Sequence, residues 1–417
     1  MHKKKVLIIA HNHPELFPGG AEICAYRLFL ELKKSKEYTP VFLAATGRES
    51  REAHVGTPFM SLEGRADEFL FWGDNFDYFN QSQREASFLH RDLARFLSEQ
   101  RPDIIHLHHT LRIGVDALQI IRNIVPKAMI IYTLHDFIPM CHRDGQMITS
   151  KNNNLCDSAS SSKCHQCFPS IPSANFKLRE SFIKTHFNLV DKFVSPSHLL
   201  ADRFIDWGIP KEKMYVIENG VEIAAPAPYR PQIKHGRRDK FAFFGQISPY
   251  KGTLLLVEAA QILQAQDEKE FKIDIYGNVA LQTDEFKEKF QLRLKEASHN
   301  VSYHGIYEAK DIAQLIKNVD WVVVPSIWWE NSPLVIQEAF QHRRPVICSN
   351  IGGMAEKVEN EVTGLHFRMG DAQSLAETMQ RAMNEKGLWE RLTTSIPLPF
   401  RISDCMNSYS ILYEGKA

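Results

Sequence analysis

The sequence predicts an α/β fold made of two doubly wound domains. Three observations predict it. The chain has 417 residues, more than a single hydrophobic core ordinarily organises. Short apolar runs alternate with longer segments of helical character, the signature of parallel strands joined by crossover helices. The pattern stops once, at a stretch rich in proline and basic residues, and then restarts.

In the first half the apolar runs are Val6–Ala10, Val41–Thr46, Ile104–Leu107, Ile130–Leu134, Lys192–Val194 and Met214–Ile217. Each ends at a polar or glycine-containing loop, as a buried parallel strand does. Residues 69–79, FLFWGDNFDYF, are dense in aromatics. They read as core packing of a helix or hairpin, with stacking on a sugar or a membrane interface as the other reading. Residues 223–239, IAAPAPYRPQIKHGRRD, form the linker. The runs resume at Lys240–Phe244, Lys272–Tyr276, Val301–Tyr303, Trp321–Val324 and Val346–Cys348, and Phe400 to Tyr413 reads as a last helix. The expected division is 1–222 and 223–396, with a helix at about 397–417 packing back on the first domain. Two such domains facing each other leave an interdomain cleft at the carboxyl edges of their strands.

Composition excludes several classes. Hydrophobic residues make up 44% and charged residues 24%, as in ordinary globular proteins. Lys plus Arg equals Asp plus Glu at 50 each, which argues against nucleic acid as a partner. Lys3, Lys4 and Lys5 precede an apolar run too short for a signal-peptide core, and no stretch is long enough to span a bilayer. The expected location is cytoplasmic, and any membrane contact would be peripheral.

The chemistry concentrates at predicted strand ends. SIWWENSPLVIQEAF, residues 326–340, holds Glu330 in a loop and Glu338 inside the following helix. Ser332 suits an N-cap and Pro333 the first helical position. Gly19 and Gly20 follow the first strand and permit close backbone approach to a ligand at a helix start. This is not the G-x-G-x-x-G fingerprint, which argues against a nicotinamide cofactor. Gly245 ends a strand, Gln246 follows, and Lys251 stands in the next loop, where it can neutralise a phosphate. Gly352 and Gly353 open a short helix after Val346–Cys348 and place amides at its start. His135 and Asp136 lie at the end of IIYTLHDF, residues 130–137. Taken singly, the Lys and the His are more often structural than functional, the glycine loops are weak signals, and the two glutamates read equally well as a surface Glu and a capping-box-like acid.

Their order along the chain resembles glycosyltransferase family 4, the retaining group with the GT-B fold. PSIWWENSPLVIQEAFQHRRPVICSNIGGMAE carries the resemblance most specifically, through Glu330 and Glu338 at the family's Glu-x7-Glu spacing. VIENGVE, residues 216–222, is similar to the family's hinge segment. The resemblance implies that Glu338 grips the ribose of a UDP- or GDP-linked sugar donor and that Glu330 holds the donor sugar. It implies amides of Asn331, Ser332 and Leu334 facing sugar and diphosphate, and His135 near the anomeric carbon. Lys251, Gly245 and the Gly19-Gly20 loop would attend the diphosphate. It further implies transfer to a glycan or lipid-linked acceptor, with no cofactor for catalysis. Two departures stand out. Gln246 replaces an arginine common in relatives, and Asn-Ser-Pro replaces Gly-Phe-Gly after Glu330. Competing readings are a nucleotide-sugar epimerase of similar fold and a catalytically silent sugar-nucleotide-binding scaffold.

Four of the seven cysteines fall between 141 and 167. Cys141, Cys156, Cys164 and Cys167 end in a Cys-x2-Cys knuckle and are expected to hold a structural zinc, with His142 and His165 as substitute ligands. Free thiols or a disulfide are the other readings.

Overall fold

The computed structural model describes residues 3–47, 57–62, 64–85, 89–230, 237–268, 270–297 and 299–415. The chain divides into two compact units, Met1–Gly220 with Arg401–Ala417, and Val221–Phe400.

The first unit is built on β1 (Lys4–Ala10), β2 (Tyr38–Thr46), β3 (Phe59–Ser61), β4 (Glu68–Trp72), β7 (Ile104–Leu107), β8 (Met129–Thr133), β9 (Lys192–Ser195) and β10 (Met214–Val216). A two-stranded ribbon, β5 (Phe76–Asp77) with β6 (Ser82–Gln83), stands apart. The sheet order is β10-β9-β8-β7-β1-β2-β4-β3, parallel except for the β3–β4 pair. Val6 to Ala10 are buried on both faces, which is why β1 reads as an unbroken apolar run. The helices are α1 (Gly20–Lys34), α2 (Ala94–Gln100), α3 (Ala117–Ile124), α4 (Ser161–Cys167), α5 (Ser173–Phe187) and α6 (His198–Trp207). The aromatic run 69–79 is neither helix nor simple hairpin. Its first part is β4, which extends the sheet parallel to β2, and its second part enters the ribbon. Leu70 and Phe71 are buried and Phe69 and Trp72 half-buried, so no clean alternation marked the strand.

The second unit orders its strands β13-β12-β11-β14-β15-β16, all parallel. They are β11 (Lys240–Phe244), β12 (Lys272–Tyr276), β13 (Val301–Gly305), β14 (Trp321–Val324), β15 (Val346–Ser349) and β16 (Gly364–Phe367). Edge strand β16 was not anticipated, because four residues led by a glycine make a weak strand signal. Helices α7 (Thr253–Ala265), α8 (Asp284–Glu296), α9 (Ile312–Leu315), α10 (Leu334–Gln341), α11 (Gly352–Lys357), α12 (Ala372–Asn384) and α13 (Leu388–Ser395) complete the unit. Alternation along β11 feeds two cores: Phe241 and Phe243 join one, Ala242 and Phe244 the other.

The proline-rich stretch 223–239 lies partly outside the described residues, at 231–236. Its described part is anchored, not loose. Buried Arg344 donates to the carbonyls of Ala227 and Pro228, and Arg230 pairs with Asp320 at 2.5 Å. The last helix, α14 (Ile402–Tyr413), lies in the first unit. Lys4 and Lys192 donate to the carbonyls of Tyr413 and Leu412, satisfying its final turn.

Candidate functional site

In the second unit β11 and β14 are neighbours whose onward connections run to opposite sides of the sheet. Open α/β sheets bind ligands outside such a switch point, at the strands' carboxyl ends. The loops leaving it carry predicted residues. Gly245 follows β11 with φ 145°, and Gln246 beside it is exposed. Lys251 ends a 3-10 turn, Pro249–Lys251, and Glu330 stands in the loop after β14. The fold brings the two together. Lys251 Nζ donates to Glu330 Oε1 at 2.6 Å. Ser326 Oγ donates to the same oxygen at 2.7 Å and Trp328 Nε1 at 2.9 Å. Oε2 receives none of the three. Burial pushes the Glu330 carboxyl up, but the Lys251 charge and these bonds outweigh it, and the net position lies below the ordinary carboxylate value.

Two glycines make this geometry feasible. Gly252 has φ 72°, and a Cβ there would strike the carbonyl of Pro325. Gly353 donates its amide to the Glu330 carbonyl at 2.7 Å, and a Cβ there would strike the carbonyl of Asn331. The Gly353 amide does stand at a helix start, in α11, and there it is engaged in holding the Glu330 loop. The cap of α10 also differs. The helix begins at Leu334, with Pro333 extended at the N-cap (ψ 118°) and no side-chain cap. Ser332 is one residue too early for its hydroxyl to reach the N2 or N3 amide, and that hydroxyl is buried with no hydrogen-bond partner. Glu338 lies half-buried on α10, near enough to Tyr307 that, after burial, its charge pushes the Tyr307 hydroxyl up.

The first unit has its own switch point, between β1 and β7. Histidines crowd the strand ends there. His11 Nε2 lies 2.8 Å from Glu22 Oε1, and His109 Nε2 lies 2.9 Å from Asp136 Oδ2. The His11 and His109 rings are 4.6 Å apart. His108 Nδ1 and His135 Nε2 are 3.0 Å apart. Inside β7, His106 bonds the Tyr413 hydroxyl at 2.8 Å and Thr133 Oγ1 at 2.7 Å. Burial lowers His135 to about 4 and His106 to about 3, and pushes His108 well down, so these imidazoles are neutral. For Glu22 and Asp136, burial raises the carboxyl but the histidine partners lower it further. Gly19 is the N-cap of α1, and a Cβ there would meet the Glu22 carboxylate; at Gly20 the space is open.

Sequence models of known families match both units. The model for glycosyl transferases group 1 matches residues 228–396, and that for Glycosyltransferase Family 4 matches residues 18–225. The chain belongs to the family 4-like glycosyltransferases.

Curated relatives of this glycosyltransferase include an uncharacterized 41.2 kDa protein of the Klebsiella pneumoniae cps region, 26% identical over 51% of this chain and 58% of the relative. Another is the amylovoran biosynthesis glycosyltransferase AmsK of Erwinia amylovora, 25% identical over 44% and 46%. The chain spans about half the length of the curated relatives it matches. Among solved structures, Anabaena HepE in complex with UDP-glucose aligns over 99% of both chains with a TM-score of 0.69 at 18% identity. A glycosyltransferase from Rickettsia africae aligns over 100% and 99% with a TM-score of 0.65 at 16% identity. These two establish the shared GT-B fold.

Sequence reasoning missed most of the glycosyltransferase's histidine cluster. HNH after β1 and HLHH at the end of β7 were its only traces, diluted among 18 histidines. The zinc expectation is not supported. Among the described residues no three His, Cys, Asp or Glu side chains could hold a metal ion, and Cys141, Cys156, Cys164 and Cys167 form no disulfide. The zinc was expected because the loop seemed unable to order itself, but the loop makes its own bonds: Arg143 donates to the carbonyls of Ile148 and Thr149, and Ser150 to that of Cys167. Arg179, buried in α5, donates to the carbonyls of Phe79, Ile138 and Pro139 at 2.6, 2.7 and 2.8 Å. Phe79, His142, Phe168 and Phe176 pack ring against ring around it. Cys156 Sγ donates to the Ser158 carbonyl, and Cys164 and Cys167 sit one turn apart on α4. No helix among the described residues is long and apolar enough to cross a membrane.

Proposed function

We propose that the chain is a retaining glycosyltransferase that moves a sugar from a UDP- or GDP-linked donor to a saccharide or lipid-linked glycan in cell-surface polysaccharide assembly. It works in the cytoplasm, in peripheral contact with the membrane. The observation that carries the donor assignment is the Lys251–Glu330 pair at the switch point of the second unit. Lys251 keeps two further ammonium protons for a diphosphate. Glu330 Oε2 is left to accept a sugar hydroxyl. Glu338 takes the ribose, and the amides of Asn331, Ser332 and Leu334, with Gly245 and Gln246, face the sugar and diphosphate. Gly19 and Gly20 approach the diphosphate, and His135 acts on the transferred sugar. Relatives support the chemical class: AmsK is named for amylovoran biosynthesis, and HepE was solved with UDP-glucose.

In the reaction the bond from the anomeric carbon to the phosphate oxygen breaks and a bond to the acceptor oxygen forms on the same face. The acceptor proton passes to the departing phosphate. Negative charge develops on the diphosphate, and a preorganised lysine with the amides at the start of α10 stabilises it, which makes catalysis metal-independent.

Donor binding should raise the melting temperature of the full chain. UDP-glucose, UDP-N-acetylglucosamine, UDP-galactose and GDP-mannose are the compounds to test by thermal shift. The expected result is stabilisation by one nucleotide class and its loss in Glu338→Gln. No shift with any donor at millimolar concentration, or an unchanged shift in Glu338→Gln, would refute the reading. Interconversion of the free donor without acceptor would make the protein an epimerase instead.

A further inference from the structure

We infer that His108 is a positioning residue that holds His135 in the tautomer protonated at Nδ1, making His135 a hydrogen-bond donor and withholding it from general-base work. The inference deepens the role proposed above for His135 and rests on that reading. It begins from one distance. His108 Nδ1 and His135 Nε2 are 3.0 Å apart, with ring centroids 5.2 Å apart and planes 22° from parallel. That centroid separation is about the nitrogen–nitrogen distance plus two ring radii, so the rings meet edge to edge along a hydrogen bond. Of two neutral imidazoles joined in this way, one donates and the other accepts.

The other face of His108 decides which. His108 Nε2 is buried and has no hydrogen-bond partner. If the His108 proton sat on Nε2, a buried N–H would be orphaned. If it sits on Nδ1, the orphan is only a lone pair. Orphaned buried N–H groups are rarer and costlier than under-used acceptors. The His108 proton therefore belongs on Nδ1, where it points at His135 Nε2, and His135 carries its own proton on Nδ1. The ring cannot readily turn to escape this choice. His106 packs against it with centroids 4.4 Å apart, and His106 is itself fixed at both nitrogens by Tyr413 and Thr133. Double protonation is opposed by burial of all three rings.

The consequence is chemical. The one basic lone pair of His135 is occupied by His108, and its other nitrogen is a donor. A residue so held can stabilise a sugar or phosphate oxygen but cannot take the acceptor proton. Proton transfer is left to the departing phosphate, as the proposed same-face reaction requires.

Ring-nitrogen correlation NMR on the full chain labelled with 15N-histidine reads the tautomer directly, with His135 assigned by its loss in His135→Gln. The expected spectrum shows His135 protonated at Nδ1. His108→Asn, whose amide can donate from near the same position, should preserve that tautomer. His108→Leu should abolish the preference. With UDP-glucose as donor, kcat should fall about tenfold in His108→Leu, the worth of one hydrogen bond, with KM little changed, and His108→Asn should recover most of it. A His135 protonated at Nε2 in the unmodified protein, or a tautomer unaltered in His108→Leu, overturns the inference while leaving the proposed role of His135 standing. Undiminished turnover in His135→Ala, with the Nδ1 tautomer intact, removes that role and with it the functional meaning of the relay. Should His108→Leu fail to fold, the spectrum of the unmodified protein decides alone.

Discussion

Glu330 and Lys251 balance each other's charge at a point where each would otherwise be costly. The Glu330 side chain is 8% exposed and the Lys251 side chain 28% exposed, so removal of either partner leaves a poorly solvated charge. Lys251→Met should destabilise the protein by about 3 kcal/mol, because the buried carboxylate keeps only the Ser326 and Trp328 bonds. Glu330→Gln should cost less, since an amide oxygen still accepts from both. The double variant should recover about 2 kcal/mol relative to the sum of the singles. Urea unfolding of the four proteins measures this cycle. Transfer activity should stay low in all three variants, which separates a site residue from a structural ion pair. Wild-type turnover in the stable double variant would show that the pair only holds the loop.

At the scale of the element, α10 and β15 depend on a cation whose hydrogen bonds go to carbonyls. Arg344, two residues before β15, is fully buried and donates to five carbonyls, those of Val319, His342, Ala227, Pro228 and Ile316. Its guanidinium also faces the Tyr229 ring at 5.1 Å. Burial lowers it to about 10, so it remains charged at neutral pH. These bonds tie the end of α10, the start of β15 and the proline-rich entry segment into one block. Arg344→Met should destabilise the protein by at least about 2–3 kcal/mol, because the carbonyls lose their donors without reaching water. Arg344→Lys should rescue little, since one compact ammonium cannot span a planar five-donor fork. Chemical denaturation followed by tryptophan fluorescence would show this, and a loss below about 0.5 kcal/mol would contradict the clamp.

At the scale of the molecule, the two units divide the proposed work. Lys251, Glu330 and Glu338 belong to the second, and His135, Asp136 and the cysteine-rich loop to the first. Arg179 joins three parts of the first unit: the aromatic segment at Phe79, the strand-end loop at Ile138 and Pro139, and helix α5. Ile138 in turn donates its amide to Asp136, the partner of His109. Arg179→Met should therefore lower transfer at least about tenfold by disturbing the Asp136 loop while affinity for the donor nucleotide, proposed to bind the second unit, stays within about twofold. Calorimetric titration of UDP and of GDP beside a turnover assay distinguishes the two effects. Parallel loss of both would mean that Arg179 supports the whole fold.

The sequence by itself determined the fold class. Apolar runs such as Val6–Ala10 and Trp321–Val324 are buried on both faces, so period and length sufficed to identify parallel strands. It also located the loops at strand ends, since glycine, histidine and paired glutamates break the apolar pattern there. What depends on distance in space was invisible. Lys251 and Glu330 lie 79 positions apart, and only the adjacency of β11 and β14 puts them at 2.6 Å. His108 and His135 are 27 positions apart and meet because β7 and β8 pair in register. The cysteine spacing suggested a metal, but side-chain bonds to carbonyls within that loop and ring packing of its His142 and Phe168 hold it, and no spacing rule carries that information. Local pattern fixes the period and the ends of each element; which ends face each other is set by sheet order, a property of the whole fold.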